Sequence, residues 1–308
     1  MVLLLVLALA FPPAITPVPL PAAISAPSWV IYDDTYDYEI AAYRPDRRAP
    51  MASTTKLMTA LVVIENSTLS DQVAISGRAE ATGHKQIRLR HGDSWTVGEL
   101  LEALMVVSAN DAAVALAEHV GGDVSTFVRM MNSRAAELGL ANTAYVDPHG
   151  LDAARQYTTP RDMVVLARAV MAHPELASLA AQEQAVLVDG RGQTTRWEST
   201  NELLDDFDGA IGVKTGWTTR SGDVLVAAAE RDGRRVYAVV MGSDNANADA
   251  AALLERGFAV FGSAERRLVP LMEDRQQARQ LRAELPADVV ARLIHLRGMW
   301  KRQVAPWE

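Results

Sequence analysis

Residues 211–241 read IGVKTGWTTRSGDVLVAAAERDGRRVYAVVM, and this segment gives the clearest indication of the fold class. It contains three apolar runs of strand length, at 211–215, 223–229 and 235–241. The dipeptide Asp232-Gly233 lies between the last two runs, and Asp-Gly between apolar runs is typical of a tight hairpin turn. The stretch therefore predicts consecutive antiparallel strands.

The rest of the chain adds two early strands and a helical middle. Residues 29–33 and 39–43 form short strand patterns on either side of a polar turn. Helical periodicity follows at 53–65, 96–107, 111–120 and 124–138, from Thr159 onward, and at 249–261. The predicted fold is therefore α+β: an antiparallel sheet built from both ends of the chain, flanked by helices, with an inserted helical subdomain at roughly 66–200.

The amino-acid composition argues against some binding partners and excludes several kinds of site. The chain has 308 residues, 49% hydrophobic and 22% charged, which is typical of one large globular domain or two packed subdomains. The net charge of −8 argues against nucleic-acid binding. The sequence contains no cysteine, so disulfides, Cys-based zinc sites and a Cys nucleophile are excluded.

The first residues predict export. An apolar run at 2–11 is too short to span a bilayer, and a Pro-rich stretch follows it through Pro21. We interpret residues 1–26 as a signal peptide and expect a secreted, extracytoplasmic protein of the cell envelope. No Lys or Arg precedes the apolar run, so a buried N-terminal segment and a misassigned start codon are the alternatives.

The last residues, 263–308, form a predicted helical tail. Four apolar residues are spaced for one helical face: Val289, Leu293, Leu296 and Trp300. Basic residues fall near the other face. Two interpretations stay open, because such a tail either makes a peripheral contact with an anionic membrane or packs on the body of the protein.

The tetrapeptide Ser53-Thr54-Thr55-Lys56 places a serine hydroxyl three residues before a lysine amine. Residues three apart share a helix face, so Lys56 is expected beside Ser53. A serine hydroxyl needs a neighbouring base to act as a nucleophile, and burial lowers the pKa of a lysine toward that role. The apolar segment 57–64 supplies the burial. A helix cap followed by a surface lysine is the alternative.

Two tripeptides place polar groups in apolar surroundings. Ser108-Ala109-Asn110 interrupts a helical pattern, where Ser108 is suited to relay a proton and Asn110 to hold a substrate amide. Lys214-Thr215-Gly216 ends an apolar strand and offers a cation, a hydroxyl and room for a close peptide backbone. An edge strand there binds an extended peptide by strand addition. Taken singly, a loop cap and a polar strand end explain them better.

The three motifs together point to one chemistry. They occur in the order Ser53, Ser108, Lys214, and two of the four lysines of the chain fall within them. Ser-x-x-Lys, Ser-x-Asn and Lys-Thr-Gly are the motif set of β-lactamases and penicillin-binding proteins. With Pro148-His149-Gly150-Leu151 and similar strings, the chain resembles the low-molecular-mass penicillin-binding proteins, the serine D-alanyl-D-alanine carboxypeptidases of peptidase family S11.

The resemblance, which covers about residues 29–258, implies a fold and an activity. The fold is β-lactamase/transpeptidase-like, with a penicillin-binding peptidase domain at 27–262. The activity is release of terminal D-Ala from peptidoglycan pentapeptides through an acyl-enzyme. β-Lactams are the implied inhibitors, and no metal or cofactor is implied.

The same resemblance implies a role for each motif residue. Ser53 is the nucleophile and Lys56 its base, while Ser108 and Lys214 pass a proton to the departing D-Ala. The substrate is held by Asn110 at its amide, by Lys214 and Thr215 at its carboxylate, and by the strand at Gly216. The backbone N–H groups of Ser53 and Trp217 form the oxyanion hole.

Departures from the family pattern keep three alternatives open. Members usually carry an arginine that helps to hold the substrate carboxylate; by spacing that position is Ala246, with Arg220 as the candidate substitute. D,D-endopeptidase action on crosslinks is therefore the first alternative. A β-lactamase is the second, although His173 stands where its deacylating glutamate belongs. A non-catalytic peptidoglycan-binding relative is the third.

Overall fold

The computed structural model describes residues 24–35, 37–189 and 191–260. Almost all of the predicted signal peptide at 1–26, and all of the predicted tail at 263–308, lie outside the described residues. The proposed domain limits therefore stay a prediction.

The strands of the described residues, in chain order, are β1 (Ser28–Asp33), β2 (Tyr38–Tyr43), β3 (Gln72–Ala74), β4 (Ser94–Thr96), β5 (Gln184–Val188), β6 (Thr194–Glu198), β7 (Ala210–Thr218), β8 (Gly222–Arg231) and β9 (Arg234–Ser243). The helices are α1 (Lys56–Asn66), α2 (Gly77–Glu80), α3 (Val97–Glu102), α4 (Asn110–Gly121), α5 (Val124–Glu137), α6 (Pro160–Met171), α7 (Pro174–Ala180), α8 (Leu203–Asp206) and α9 (Ala246–Val260). A 3-10 turn, Ala52–Thr55, leads into α1, and a π-helical turn, Ala103–Val107, follows α3.

The main sheet joins both ends of the chain. Its strand order is β2-β1-β9-β8-β7, and each neighbouring pair is antiparallel. Asp232 and Gly233 form the β8–β9 turn, both with positive φ (51° and 72°), as a tight hairpin turn requires. These observations confirm the predicted antiparallel sheet, and they leave β7 at one edge.

The central strands are apolar on both faces because both faces are covered. Val224 and Val226 of β8 belong to the core shared with the helical middle of the chain. Leu225 and Ala227, which alternate with them, pack under α9. This two-sided burial explains why β8 reads as an uninterrupted apolar run rather than as an alternating one.

Helix α1 is the centre of the helical layer. It packs against α4, α5 and α6, and the side chains from Lys56 to Val63 are all buried. Burying one Leu or Met side chain stabilises the folded state by about 1.5–3 kcal/mol. Leu57, Met58 and Leu61 therefore hold this helix in place, and Lys56 is carried into the interior with them.

Several elements escaped the sequence prediction. The helix expected over 96–107 is divided into α3 and the π-helical turn. The hairpin of β5 and β6 and the short helices α7 and α8 were not predicted; β5 and β6 are short strands that pair only with each other. None of the described helices alone is long and apolar enough to cross a membrane, although α6 and α7 together, bent by 113°, pass on length and composition.

Candidate active site

The nucleophile motif lies where the 3-10 turn becomes α1. Ser53 belongs to the turn and is half-buried, whereas Lys56 is the first residue of the helix and has no exposed surface. The Nζ of Lys56 lies 2.9 Å from the Oγ of Ser53. The structure thus brings the predicted hydroxyl and base into hydrogen-bonding contact.

Two further contacts surround the Lys56 amine. The Oδ1 of Asn110 and the backbone oxygen of His149 each accept a hydrogen bond from Nζ at 2.7 Å. Both acceptors are carbonyl oxygens, which have no hydrogen to donate. An uncharged amine has two N–H groups and one lone pair. When the two carbonyls take the N–H groups, the lone pair faces the Ser53 hydroxyl.

The electrostatics favour that uncharged form. Burial lowers the pKa of Lys56 well below its ordinary value, and the charge of Lys214 lowers it further. The carboxylate of Asp147 acts in the opposite direction, and the charge of Lys85 again lowers the pKa. The site therefore holds a lysine that is able to accept a proton from serine.

The loop at Pro148-His149-Gly150 packs against the nucleophile turn and α1 and holds Ser53 and Lys56 in place. Thr59, one helical turn after Lys56, donates its hydroxyl to the backbone oxygen of Pro148 at 2.6 Å. Gly150 has φ +90°, and a Cβ there would stand 1.8 Å from the backbone oxygen of Ala52. Only glycine allows the loop to approach the nucleophile turn this closely.

Ser108 lies at a break between helices. The π-helical turn ends at this residue, which adopts the left-handed conformation with φ 65° and ψ 35°. Its hydroxyl is buried, lines the cleft described below and has no hydrogen-bond partner among the described residues. A buried hydroxyl without a hydrogen-bond partner destabilises the folded state, so such a group usually has a function. The Ser108 hydroxyl is free to bind a substrate or to transfer a proton.

Asn110 is the first residue of α4, and both its side chain and its backbone make hydrogen bonds. Its side chain accepts from Lys56 and donates through Nδ2 to the backbone oxygen of Gly83 at 3.2 Å. Its backbone N–H donates to the oxygen of Lys85 at 2.8 Å. Asn110 lines the cleft and also positions the Lys56 amine, while its contact with a substrate amide stays a prediction.

Strand β7 forms the opposite wall. A Cβ on Gly216 would stand 2.8 Å from the backbone nitrogen of Ser53, so this glycine lets the strand contact the nucleophile turn. The hydroxyls of Thr215 and Thr200 lie 2.5 Å apart. Trp217 is 65% exposed.

Lys214, also on β7, is a buried amine. Its Nζ donates to the backbone oxygen of Thr215 at 3.3 Å. Burial lowers the pKa of Lys214 to about 7, and the charge of Lys85 contributes to the lowering. Lys214 therefore changes charge near neutral pH.

One cleft of about 770 Å³ joins these pieces. Six predicted residues line it: Ser53, Ser108, Asn110, Thr215, Gly216 and Trp217. The two predicted lysines, Lys56 and Lys214, are buried next to this lining. The three separate sequence motifs thus meet at one place.

Two features of the site escaped the sequence reasoning. Lys85 lines the cleft and lies in a loop held by Asp111, whose carboxylate accepts the N–H of Leu89 at 3.0 Å. No motif marked it. The backbone oxygens of His149 and Pro148 were also not predicted, because every residue has a backbone oxygen and the sequence does not show which ones bind. Gly150 was the one residue that could have indicated a close approach of this loop to the nucleophile.

Two other residues lie elsewhere. The guanidinium of Arg220 donates to the backbone oxygen of Ala153 at 3.1 Å, and Arg220 is not among the residues that line the cleft. His173 precedes α7, has its Nε2 3.8 Å from Glu65 and also lies outside the cleft. Neither takes part in the described site.

Sequence comparison gives consistent matches. The profile of a family described as D-alanyl-D-alanine carboxypeptidase matches residues 15–245. The D-alanyl-D-alanine carboxypeptidase DacF of Bacillus subtilis is 34% identical over 70% of this chain and 57% of its own length. DacB2 of Mycobacterium tuberculosis, with the same enzyme name, is 34% identical over 79% of this chain and 85% of its own. The chain therefore spans little more than half of DacF.

Solved structures agree. A D-alanyl-D-alanine carboxypeptidase of Mycobacterium tuberculosis superposes with a TM-score of 0.74 at 33% identity, covering 80% of this chain and 95% of that one. A mutant DD-transpeptidase of Streptomyces superposes with a TM-score of 0.74 at 32% identity, covering 78% and 100%. These likenesses confirm the predicted transpeptidase-like fold.

Proposed function

The chain belongs to the D-alanyl-D-alanine carboxypeptidase family, peptidase family S11, and we propose that it cleaves the bond after the penultimate D-Ala of peptidoglycan stem peptides. The carboxypeptidase names of its relatives and the contact between Lys56 and Ser53 support this activity. Peptidoglycan is an extracytoplasmic polymer, so the substrate places the reaction in the cell envelope. The net charge of −8 argues against nucleic acid as a partner.

The first half of the reaction forms an acyl-enzyme. The Lys56 amine takes the proton of the Ser53 hydroxyl, and the serine oxygen attacks the carbonyl carbon of the penultimate D-Ala. The backbone N–H groups of Ser53 and Trp217 stabilise the negative charge on the carbonyl oxygen. The C–N bond then breaks, and the proton reaches the leaving amine through Ser108 and Lys214.

The second half releases the product. Water attacks the ester carbon on Ser53, and the bond to the serine oxygen breaks with return of a proton to that oxygen. Asn110, Thr215 and Gly216 hold the peptide along β7 during both halves. A β-lactam follows the same first half and stays attached to Ser53, which makes β-lactams the expected inhibitors.

The proposal rests mainly on the surroundings of Lys56. Its amine has no exposed surface and makes hydrogen bonds to two carbonyl oxygens and one serine hydroxyl. A purely structural lysine gains nothing from this burial, because a buried charge without a carboxylate partner is unfavourable. A general base for Ser53, in contrast, requires the lowered pKa that this burial produces. Catalysis therefore explains the arrangement, and packing alone does not.

The test measures release of D-Ala from a peptide ending in D-Ala-D-Ala. We expect Ser53→Ala to lower the release by about 10³-fold or more, since the covalent route is lost. The matched control is Ser125→Ala, at an exposed serine of α5, which should keep the wild-type rate. Folding of both variants is checked by circular dichroism.

Other outcomes identify the alternatives. Ser53-dependent cleavage of crosslinked muropeptides without release of terminal D-Ala would assign an endopeptidase. Rapid steady-state turnover of nitrocefin would assign a β-lactamase. A folded protein that neither releases D-Ala nor takes a β-lactam label would contradict the proposal and favour a binding protein.

A further inference from the structure

Strand β7 presents backbone groups along its unpaired side. It is the last strand of the main sheet, so one of its two sides has no neighbouring strand among the described residues. Thr218 donates its backbone N–H to the Oγ of Ser221 at 3.0 Å, toward the turn into β8. Successive residues of a strand point their backbone groups to opposite sides. The N–H and C=O of Trp217 therefore point to the unpaired side.

This direction fixes the register of a peptide bound along β7. The Trp217 N–H is the proposed oxyanion donor, so the penultimate D-Ala lies opposite Trp217. An antiparallel peptide then places the departing D-Ala opposite Gly216, beside the Lys214 and Thr215 groups that are proposed to bind its carboxylate. The residue before the penultimate D-Ala, called the pre-D-Ala residue below, lies opposite Thr218.

The same register gives the direction of the pre-D-Ala side chain. Side chains of directly opposite residues lie on one face of a sheet, so an L-residue there shares the face of Thr218 and Gly216. This face meets the nucleophile turn, since a Cβ on Gly216 would stand 3.0 Å from the Cβ of Ala52. The Thr218 hydroxyl bonds the Oδ1 of Asp152 at 2.7 Å. The pre-D-Ala side chain therefore extends toward Asp152.

Leu151 and Asp152 line the cleft at this point. Leu151 is half-buried and offers an apolar contact to the carbon chain of a long side chain. Asp152 is exposed, and no Lys, Arg or His of the described residues forms an ion pair with it. The guanidinium of Arg220 instead donates to the backbone oxygen of Ala153 at 3.1 Å. A carboxylate without a cationic partner thus stands at the end of an apolar contact.

The other carboxylates of the cleft have different positions. The carboxylate of Glu202 accepts the Nδ2 of Asn247 at 2.7 Å, at the first turn of α9. Asp223 pairs with Trp217, so its side chain lies on the face of the sheet opposite to that of Thr218. Among the described carboxylates that line the cleft, Asp152 is therefore the one on the face of the pre-D-Ala side chain.

The lysines of the site lie on other walls. Lys85 belongs to the wall of Asn110, whose backbone N–H bonds the Lys85 oxygen at 2.8 Å. The buried amine of Lys214 donates to the backbone oxygen of Thr215 at 3.3 Å, on the side of the departing D-Ala. These two amines suit the carboxylate of the leaving group, and they leave the Asp152 carboxylate for a positive charge on the acyl part of the substrate.

We propose that Asp152 is a specificity-determining residue that binds a positively charged amine on the pre-D-Ala side chain, while Leu151 packs against the carbons that carry it. The favoured substrates are stem peptides in which an L-diamino acid with a free side-chain amine precedes D-Ala-D-Ala. Acylation of that amine in a crosslink removes its charge, so uncrosslinked peptides are favoured. This specificity rests on the proposed function, and the bonds formed and broken at Ser53 are unchanged.

The test compares three peptides, N-acetyl-X-D-Ala-D-Ala, in which X is L-lysine, Nε-acetyl-L-lysine or L-norleucine. We expect the wild-type kcat/KM for D-Ala release from the lysine peptide to exceed that for each of the other two by about three- to fivefold, the order of one partly exposed charge pair. The preference should decrease as salt is added. This comparison needs no substitution, so it does not depend on the folding of a variant.

Substitution then assigns the preference to Asp152. Asp152→Asn keeps an oxygen acceptor for Thr218 and removes the charge, so we expect the preference to fall to about onefold, mainly through slower cleavage of the lysine peptide. The matched control is Asp232→Asn, at an exposed aspartate of the β8–β9 turn that does not line the cleft. It removes the same charge and should keep the wild-type preference.

The outcomes separate this specificity from the function beneath it. Equal wild-type kcat/KM values for the lysine and acetyl-lysine peptides would overturn the specificity alone, as would a preference that survives Asp152→Asn. An equal decrease in Asp152→Asn and Asp232→Asn would assign the preference to net charge and would also overturn it. The absence of Ser53-dependent D-Ala release from all three peptides would overturn the proposed function and the specificity together.

Discussion

Asn110 donates its backbone N–H to the backbone oxygen of Lys85 at 2.8 Å, so the residue that holds the Lys56 amine also fixes the loop of a third lysine. The charge of Lys85 lowers the pKa of both Lys56 and Lys214, after the larger effect of burial. Three amines from distant parts of the chain are therefore coupled. The pH dependence of acylation should reflect this coupling.

Removing the charge of Lys85 should move the acidic limb of the pH–rate profile to higher pH. Without that charge the pKa of Lys56 rises, and the amine stays protonated to higher pH. We therefore expect the limb of kcat/KM to move to higher pH in Lys85→Met. Lys85→Arg keeps the charge and should keep the wild-type profile. Identical limbs in Lys85→Met and wild type would refute the coupling.

Removing the base itself should stop acylation without unfolding the protein. Lys56→Met replaces a buried amine by a side chain of similar size, so the folded state should be at least as stable. We expect the acylation rate to fall by about 10³-fold, the order of a general-base contribution. Stopped-flow or quenched acylation together with a thermal melt checks both parts. A near-normal rate in the folded variant would remove Lys56 as the base.

The buried amine of Lys214 should cost stability at neutral and acidic pH. Its pKa is lowered to about 7 from an ordinary 10.5, so the unfolded chain binds more protons than the folded chain between these values. Stability therefore rises with pH through this window, and the cost is fully present below pH 7. We expect Lys214→Met to increase the free energy of unfolding at pH 6 by about 2 kcal/mol.

The same comparison at higher pH provides the control for Lys214. As pH rises from 7 toward 10.5, the advantage of Lys214→Met should shrink, and it should vanish only above pH 10.5, where the wild-type amine is neutral in both states. Urea denaturation at several pH values measures it. An advantage that is constant with pH would show that packing, and not charge, is the cause.

The contact between Gly150 and Ala52 should be intolerant of any side chain. A Cβ at Gly150 would overlap the backbone oxygen of Ala52, and the φ of +90° is itself unfavourable for alanine. We expect Gly150→Ala to destabilise the fold by about 2–4 kcal/mol and to displace the His149 oxygen from Lys56. Gly77→Ala, which meets nothing within 4 Å, is the matched control and should leave Tm nearly unchanged.

Sequence alone predicted the strands of the main sheet and the three motifs that meet at the cleft. Strands buried on both faces, such as β8, leave long apolar runs, and the Asp232-Gly233 turn sets the pairing of β8 with β9. The order of Ser53, Ser108 and Lys214 then identified three motifs that the fold brings together. These signals are local, so they survive without knowledge of the tertiary structure.

What the sequence could not show depends on contacts between distant segments. Lys85 carries no motif, and its importance comes only from the loop that Asp111 and Asn110 hold in place. Glu202 and Asp223 lie 21 positions apart in the sequence, and both line the cleft in the folded chain. Backbone acceptors such as the His149 oxygen are equally invisible in a sequence.

Locating the covalent adduct shows directly whether Ser53 is the nucleophile. Wild-type protein is incubated with benzylpenicillin until the adduct accumulates, then digested with trypsin and sequenced by tandem mass spectrometry. Cleavage after Arg48 and Lys56 gives the peptide 49–56, which contains Ser53 beside two threonines. We expect the penicilloyl mass on Ser53, and its disappearance in Ser53→Ala. An adduct on any other residue, or an unmodified peptide from folded protein after prolonged incubation, would contradict it.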